Sequence, residues 1–177
     1  FKPAALIVSQ DKNGLSNVAL FNNIVHLGAD PALIGFINRP REATPHTLGN
    51  IESTGFYTIN HINTPQISAA HQTSAKYPMG VSEFEKVELV EQFRPEFSIP
   101  FVEGSPAQIG LRLVEIVPIQ QNGTYLVIGE LQCAFLEEAH VSADGFVDLA
   151  EAGAVSTLGL QGYYQPKFIQ KEGYARP

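Results

Sequence analysis

The residues best suited to chemistry lie close together, in the stretch GFINRPREATPHTLGN at 35–50. Arg39 and Arg41 fall within three residues of each other, although the chain has only eleven Lys+Arg against eighteen Asp+Glu. A helix start follows them. Thr44 suits the cap and Pro45 the first helical position, and Gly55 suits the stop, so a short helix is expected over 45–53. The first turn of such a helix offers free backbone N–H groups at its positive end, and His46 and Thr47 add donors there. Together these groups could cradle a phosphate. The same residues could equally form a capped surface helix with two solvated arginines.

Thr64-Pro65 repeats the helix start, and QISAAHQTSAKY carries a second predicted helix. His71, Thr73, Ser74, Lys76 and Tyr77 fall at its far end. Lys76 could bring another positive charge to an anion site, or simply occupy the helix terminus that favours cations. The histidines (His26, His46, His61, His71 and His140) show no HExxH or similar spacing, so no metal site is predicted. Nucleophile elbow, phosphate-binding loop and GxGxxG are missing from the sequence. Acid–base or nucleophilic catalysis by side chains is hard to build from this set, and no catalytic side chain is nominated. A cofactor would have to carry any redox chemistry.

Strands must position these groups. AALIVS (4–9) and NVALF (17–21) flank DKNG, whose Asn13-Gly14 favours the positive φ of a hairpin turn. ALIGFI (32–37) is a further strand, with Gly35 in its middle marking a close approach. FYTINHI (56–62) alternates like a half-buried strand. EFEKVEL (83–89) reads as a short helix. Pro95, Pro100 and Pro106 make 90–108 a loop with short extended pieces. IGLRLVEIVPI (109–119), the Asn122-Gly123 turn and TYLVIGELQCAFL (124–136) form a second hairpin, its last strand central. A short helix is expected near DLAEAG (148–153). About six antiparallel strands with one helical excursion predict an all-β fold with short flanking helices, a six-stranded Greek-key barrel. No linker or repeat divides the chain, so one domain spans 1–177.

Composition sets the limits. The length suits one domain, and 44% hydrophobic residues exclude disorder. Charged residues make up only 16%, below the usual quarter; either much of the chain is core, or much of its surface is covered by another subunit. A net charge of −7 argues against generic nucleic-acid binding. The single cysteine, Cys133, is read as a core thiol and fits a reducing cytoplasm. No apolar run is long enough for a membrane span, and no signal peptide is visible.

Taken in order, KPAALIVS, NVALFNNIVHLGADPALIGFINRP, HTLGNIESTGFYTIN and AHQTSAKYPMGVSEFE resemble the flavin reductase-like family of FMN-binding split-barrel proteins, nearly to the closing YARP. The resemblance implies a six-stranded split barrel, a homodimer with FMN in a groove at the interface, and hydride transfer from NAD(P)H to the flavin. A flavoredoxin-like electron carrier without direct NAD(P)H activity is the alternative. It implies that Asn17, Val18, Ala19, Leu20 and Phe21 lie beside the isoalloxazine through main-chain groups, next to Gly35, Phe36, Ile37 and Asn38. Arg39, His46, Thr47 and Asn50 would bind or brace the phosphate, helped by His71, Ser74, Lys76 and Tyr77. Phe84 resembles an aromatic on the substrate side. Tyr163, Tyr164 and Arg176 belong to a tail that would cover the flavin or clasp the partner.

Overall fold

The computed structural model describes residues 1–42, 45–78 and 80–176. Thr44, the expected helix cap, lies outside the described residues. The chain begins with β1 (Lys2–Pro3), β2 (Ala5–Gln10), β3 (Ser16–Phe21), β4 (Ile24–Ala29) and β5 (Ala32–Asn38), then α1 (Pro45–Thr54), β6 (Phe56–His61) and α2 (Ile67–Gln72). It continues with β7 (Glu91–Arg94), β8 (Phe97–Val102), β9 (Ala107–Ile119), β10 (Thr124–Leu136), β11 (Ser156–Leu158) and β12 (Gly162–Tyr164). The fold is all-β with short helices, as expected.

A seven-stranded antiparallel sheet in the order β3-β2-β6-β9-β10-β5-β4 dominates. It has one strand more than the sequence suggested, because β4 separates the two strands read there. β3 and β4 are the sheet's opposite edges, yet only Asn22 and Asn23 join them. The edges therefore approach each other: the Ile37 amide donates to the Asn23 carbonyl at 3.0 Å, and the Phe21 and Phe36 rings meet edge to face at 5.1 Å.

Alternation along β2 explains the two cores. Successive strand residues point to opposite faces. Ala5 and Ile7 join Phe36, Tyr57, Ile59, Leu111 and Val127 on one face. Leu48 and Ile51, one turn apart on α1, cover this same cluster. Leu6 and Val8 point the other way, to Val18, Ala70, Leu89, Ile99 and Val102. Gly129 makes the first core possible. A Cβ there would strike the buried Tyr57 hydroxyl and come within 2.9 Å of its ring.

Both hairpin turns form where expected, with Gly14 at φ 84 and Gly123 at φ 71. Other expectations need correction. Residues 91–102 are a β7–β8 hairpin with one register shift, between Gln92 and Arg94, rather than a loop with short extended pieces: Pro95 sits in its turn, and Pro100 is accommodated because β8 belongs to a separate two-stranded sheet. β10 lies inside the sheet, but the middle strand is β9. The helix expected over 64–77 is a 3-10 turn, Thr64–Gln66, followed by a short α2 that ends at Gln72. At 83–89 only one 3-10 turn forms, Glu83–Glu85. Residues 148–153 make successive turns, not a helix; the nearest helical turn is Glu138–His140. The C-terminal region adds β11 and β12 to β1 as a small third sheet.

Candidate functional site

The groups singled out around α1 converge on the outer edge of β3. Residues at alternate positions of an antiparallel edge strand turn their amides outward. On β3 those of Val18 and Leu20 point away from β2, and both are held. The Val18 amide donates to Glu83 Oε2 at 3.0 Å, and the Leu20 amide to Thr73 Oγ1 at 3.0 Å. Thr73 in turn donates to the Ala70 carbonyl at 2.7 Å. The end of α2 and the 83–85 turn are thus fastened along β3 by two side chains.

From the other side, Asn17 Nδ2 donates to Thr47 Oγ1 at 3.1 Å, and both residues are buried. Asn50 Nδ2 reaches Ser9 Oγ at 3.3 Å, beside Asn17 in the β2–β3 ladder. These contacts seat the first half of α1 on the ends of β2 and β3. His46 lies close enough to Glu83 for its charge to lower the carboxyl pKa, but burial outweighs this and leaves the group raised.

Asn17, Val18, Leu20, His46, Thr47 and Asn50 are therefore brought together. Ser74, Lys76 and Tyr77 follow Thr73 along the same side; Ser74 and Lys76 are exposed, and Tyr77 Oη accepts from Gln72 Nε2 at 3.1 Å. His71 turns instead toward the C-terminal region, its Nδ1 2.9 Å from the Tyr163 hydroxyl. Burial raises the pKa of that phenol.

The β5 residues behave differently. Both backbone edges of β5 are taken, one by β4 and one by β10. Phe36 is a core side chain packed on Phe21 and Tyr57. Ala19 and Phe21 also point into that core. The close approach at Gly35 is made by Leu27 and Leu126, whose methyl groups would lie 3.0 Å from an added Cβ. On the side where a Cβ would stand, this glycine is packed by the chain's own leucines. Asn38 ends β5 buried, its Nδ2 donating to the Arg39 carbonyl at 2.7 Å.

The paired arginines separate. Arg41 lies alongside α1 and pairs with Glu52 through both guanidinium nitrogens, over the Tyr125 ring. That carboxylate raises the Arg41 pKa, and Arg41 lowers that of Glu52. Arg41 is committed to the helix and leaves the cradle. Arg39 is exposed and, among the described residues, joins no ion pair. Glu83 was not foreseen as a site residue, nor was the hold of Thr73 on β3; the amides they hold are 65 and 53 positions away, and no spacing signals such a contact.

The donor set fits a phosphate-bearing cofactor. The first turn of α1 carries no acidic residue. Among the described residues Arg39 is left out of every ion pair, and Thr47 and Asn17 supply neutral polar groups. Among the described residues no three His, Cys, Asp or Glu gather as a metal site, and no helix is long and apolar enough to cross a membrane.

Residues 2–147 match the family model described as "Flavin reductase like domain". Among solved structures, one described as a flavin reductase with a split barrel domain, from Shewanella frigidimarina, is 40% identical, with TM-score 0.93, covering 98% of this chain and 86% of its own. Nitrilotriacetate monooxygenase component B from Bacillus cereus shares the fold at 20% identity and TM-score 0.86, covering 97% and 87%. Flavoredoxin from Desulfovibrio vulgaris does so at 19% and 0.82, covering 98% and 91%. A protein from Halalkalibacterium halodurans is 26% identical over 162 residues, 90% of this chain and 75% of its own length.

Proposed function

The chain belongs to the flavin reductase-like family of flavin-linked split-barrel proteins, and on that premise we propose that it is an NAD(P)H-dependent oxidoreductase that holds FMN at a homodimer interface. Bound FMN would supply hydride acceptance and donation, which the side chains alone cannot. The observation that carries this reading is the fastening of α1 to β3 through Asn17 and Thr47, in a helix whose own first turn contains no acidic residue.

In this reading the α1 amides, Thr47 and Arg39 hold the phosphate, with His46 and Asn50 bracing them. Lys76, placed beyond Thr73, adds positive charge. Glu83 has two tasks. Its carboxylate keeps the edge of β3 straight through the Val18 amide, and it offers His46 a negative neighbour. The first reduces rearrangement when a ligand arrives, which is the value of a preorganised site. Asn17, Asn38 and the β3 main chain flank the ring system. Hydride transfer depends on orientation and exclusion of water more than on an acid or base. A second subunit would supply that exclusion. Val25 and Leu27 on β4, and Ile169 and Tyr174 in the tail, are exposed apolar side chains available for it.

The test is anaerobic addition of NADH, then NADPH, to the FMN-loaded protein. Bleaching of the visible flavin band by either supports the reading. Bleaching by neither, with FMN bound, turns the assignment to the electron carrier. Light scattering on the loaded protein checks the dimer, and a stable FMN-loaded monomer would contradict an interface site.

A further inference from the structure

A second polar cleft opens at the other end of β6. By ladder register α1 enters beside Phe56, which faces Arg112. The cleft lies where Asn60 faces Gln108 and Gln108 faces Phe135. It has a volume of about 590 Å³, and its walls include Arg94, Ser105, Gln108, Phe135 and His140.

Arg94 is fixed in place. Its Nε and Nη2 donate to Gln108 Oε1 at 3.1 and 2.7 Å, and Gln108 is anchored by donating to the Val102 carbonyl at 2.7 Å. Gln92 Oε1 accepts from Gln108 Nε2 at 2.7 Å and more weakly from Arg94. The guanidinium lies over the Phe135 ring, 4.1 Å from its centre. Every one of these partners is neutral. Orienting a guanidinium with amides and an aromatic face leaves its charge uncompensated. Glu96 and Glu137 are in the neighbourhood, but among the described residues Arg94 forms no ion pair, and its Nη1 has no hydrogen-bond partner.

Two further polar atoms at the cleft are unsatisfied. Among the described residues Ser105 Oγ and His140 Nδ1 are buried without a hydrogen-bond partner. His140 Nε2 faces Glu137 at 3.7 Å, which leaves Nδ1 as the spare position. Buried polar atoms are almost always paired, so these two, lining the same cleft as the fixed cation, are open to a ligand's polar end. The rest of the wall joins apolar Pro106, Ala134, Phe135, Leu136 and Ala152 to Asn63 and to Glu137, whose carboxylate is turned to His140 Nε2.

We infer that this cleft binds a small organic carboxylate, its charged end on Arg94 with Ser105 and His140 alongside, and its apolar body against Phe135. The site is separate from the α1 donors and does not depend on how they are read.

Calorimetric titration of the full chain with benzoate, and with benzamide as its neutral counterpart, tests this. Saturable one-to-one binding of benzoate is expected. Benzamide and the Arg94→Met variant should each bind weaker by roughly tenfold or more, the loss of a charge-assisted hydrogen bond. Ser105→Ala, which removes no packing group, should weaken benzoate several-fold and keeps the test open if Arg94→Met fails to fold. Prior loading with FMN should leave benzoate affinity unchanged. Lack of saturable benzoate binding, equal binding of benzamide, indifference to the substitutions, or competition by FMN would each overturn the inference.

Discussion

β3 and β5 were expected to play one part, bordering a flat cofactor, and they differ in what they have left to give. β3 is a sheet edge. Its outward amides need partners, and Glu83 and Thr73, carried on the excursion between β6 and β7, supply them. β5 is an interior strand with both edges used, and its glycine is packed by leucines. An edge strand can offer main-chain groups to a neighbour or ligand; an interior strand can offer only its faces and its ends. On β5 the end is what remains: Asn38 and Arg39.

That contrast can be broken at several points. The largest effect belongs to the interior strand. Phe36→Ala removes a fully buried ring held by Phe21 and Tyr57 and should destabilise the protein by about 3–5 kcal/mol. Urea unfolding measures it; a loss small enough to leave the midpoint unchanged would mean the ring is not core.

Next comes the end of β5. Arg39→Ala should weaken FMN binding by roughly tenfold or more while leaving the urea midpoint in place. An unchanged dissociation constant would remove Arg39 from the phosphate site.

The edge strand gives a pH signature. Burial raises the Glu83 carboxyl above its ordinary 4.5, so the folded protein holds that proton more tightly than the unfolded chain does. Stability must then fall as pH climbs from the ordinary carboxylate range through the raised value, with no further change above it. Glu83→Gln should flatten this slope, at a cost of about 1 kcal/mol for the altered hydrogen bond to Val18. A slope identical to the parent's would assign it to other groups.

The smallest effect should be Gly35→Ala. The atoms it meets are the flexible ends of Leu27 and Leu126, so a change within about 1 kcal/mol is expected in stability, and FMN affinity should not move. A large loss of FMN affinity would restore the ring to this glycine.

What the sequence disclosed was local. Asn13-Gly14 and Asn122-Gly123 formed turns because their conformational needs are met within four residues. β10 was read to its ends because a long β-branched and aromatic run has no competing period. β4 escaped notice because His26, Val25 and Leu27 are all exposed, and a strand with no buried face shows no alternation. β7 and β8 were hidden by prolines that a two-stranded sheet tolerates. At the site, the α1 residues could be named in advance, since helix starts carry their own signals. The separation of Arg39 from Arg41 could not, because it depends on Glu52 coming round on the next turns of α1. Nor could Glu83, whose importance arises from β3 being an edge.

The three-stranded sheet at the chain's extremities bears on how the molecule assembles. Lys2 pairs with Thr157 and Pro3 with Ser156, so β1 is completed by a strand from far along the chain. β2 and β3 can meet early through a short turn, but β1 must wait until the large sheet has been made. Pairings across such separations slow folding. The closing stretch thus acts as a late seal, and a chain interrupted before β11 should retain its large sheet while losing protection from amide exchange around residues 2–4.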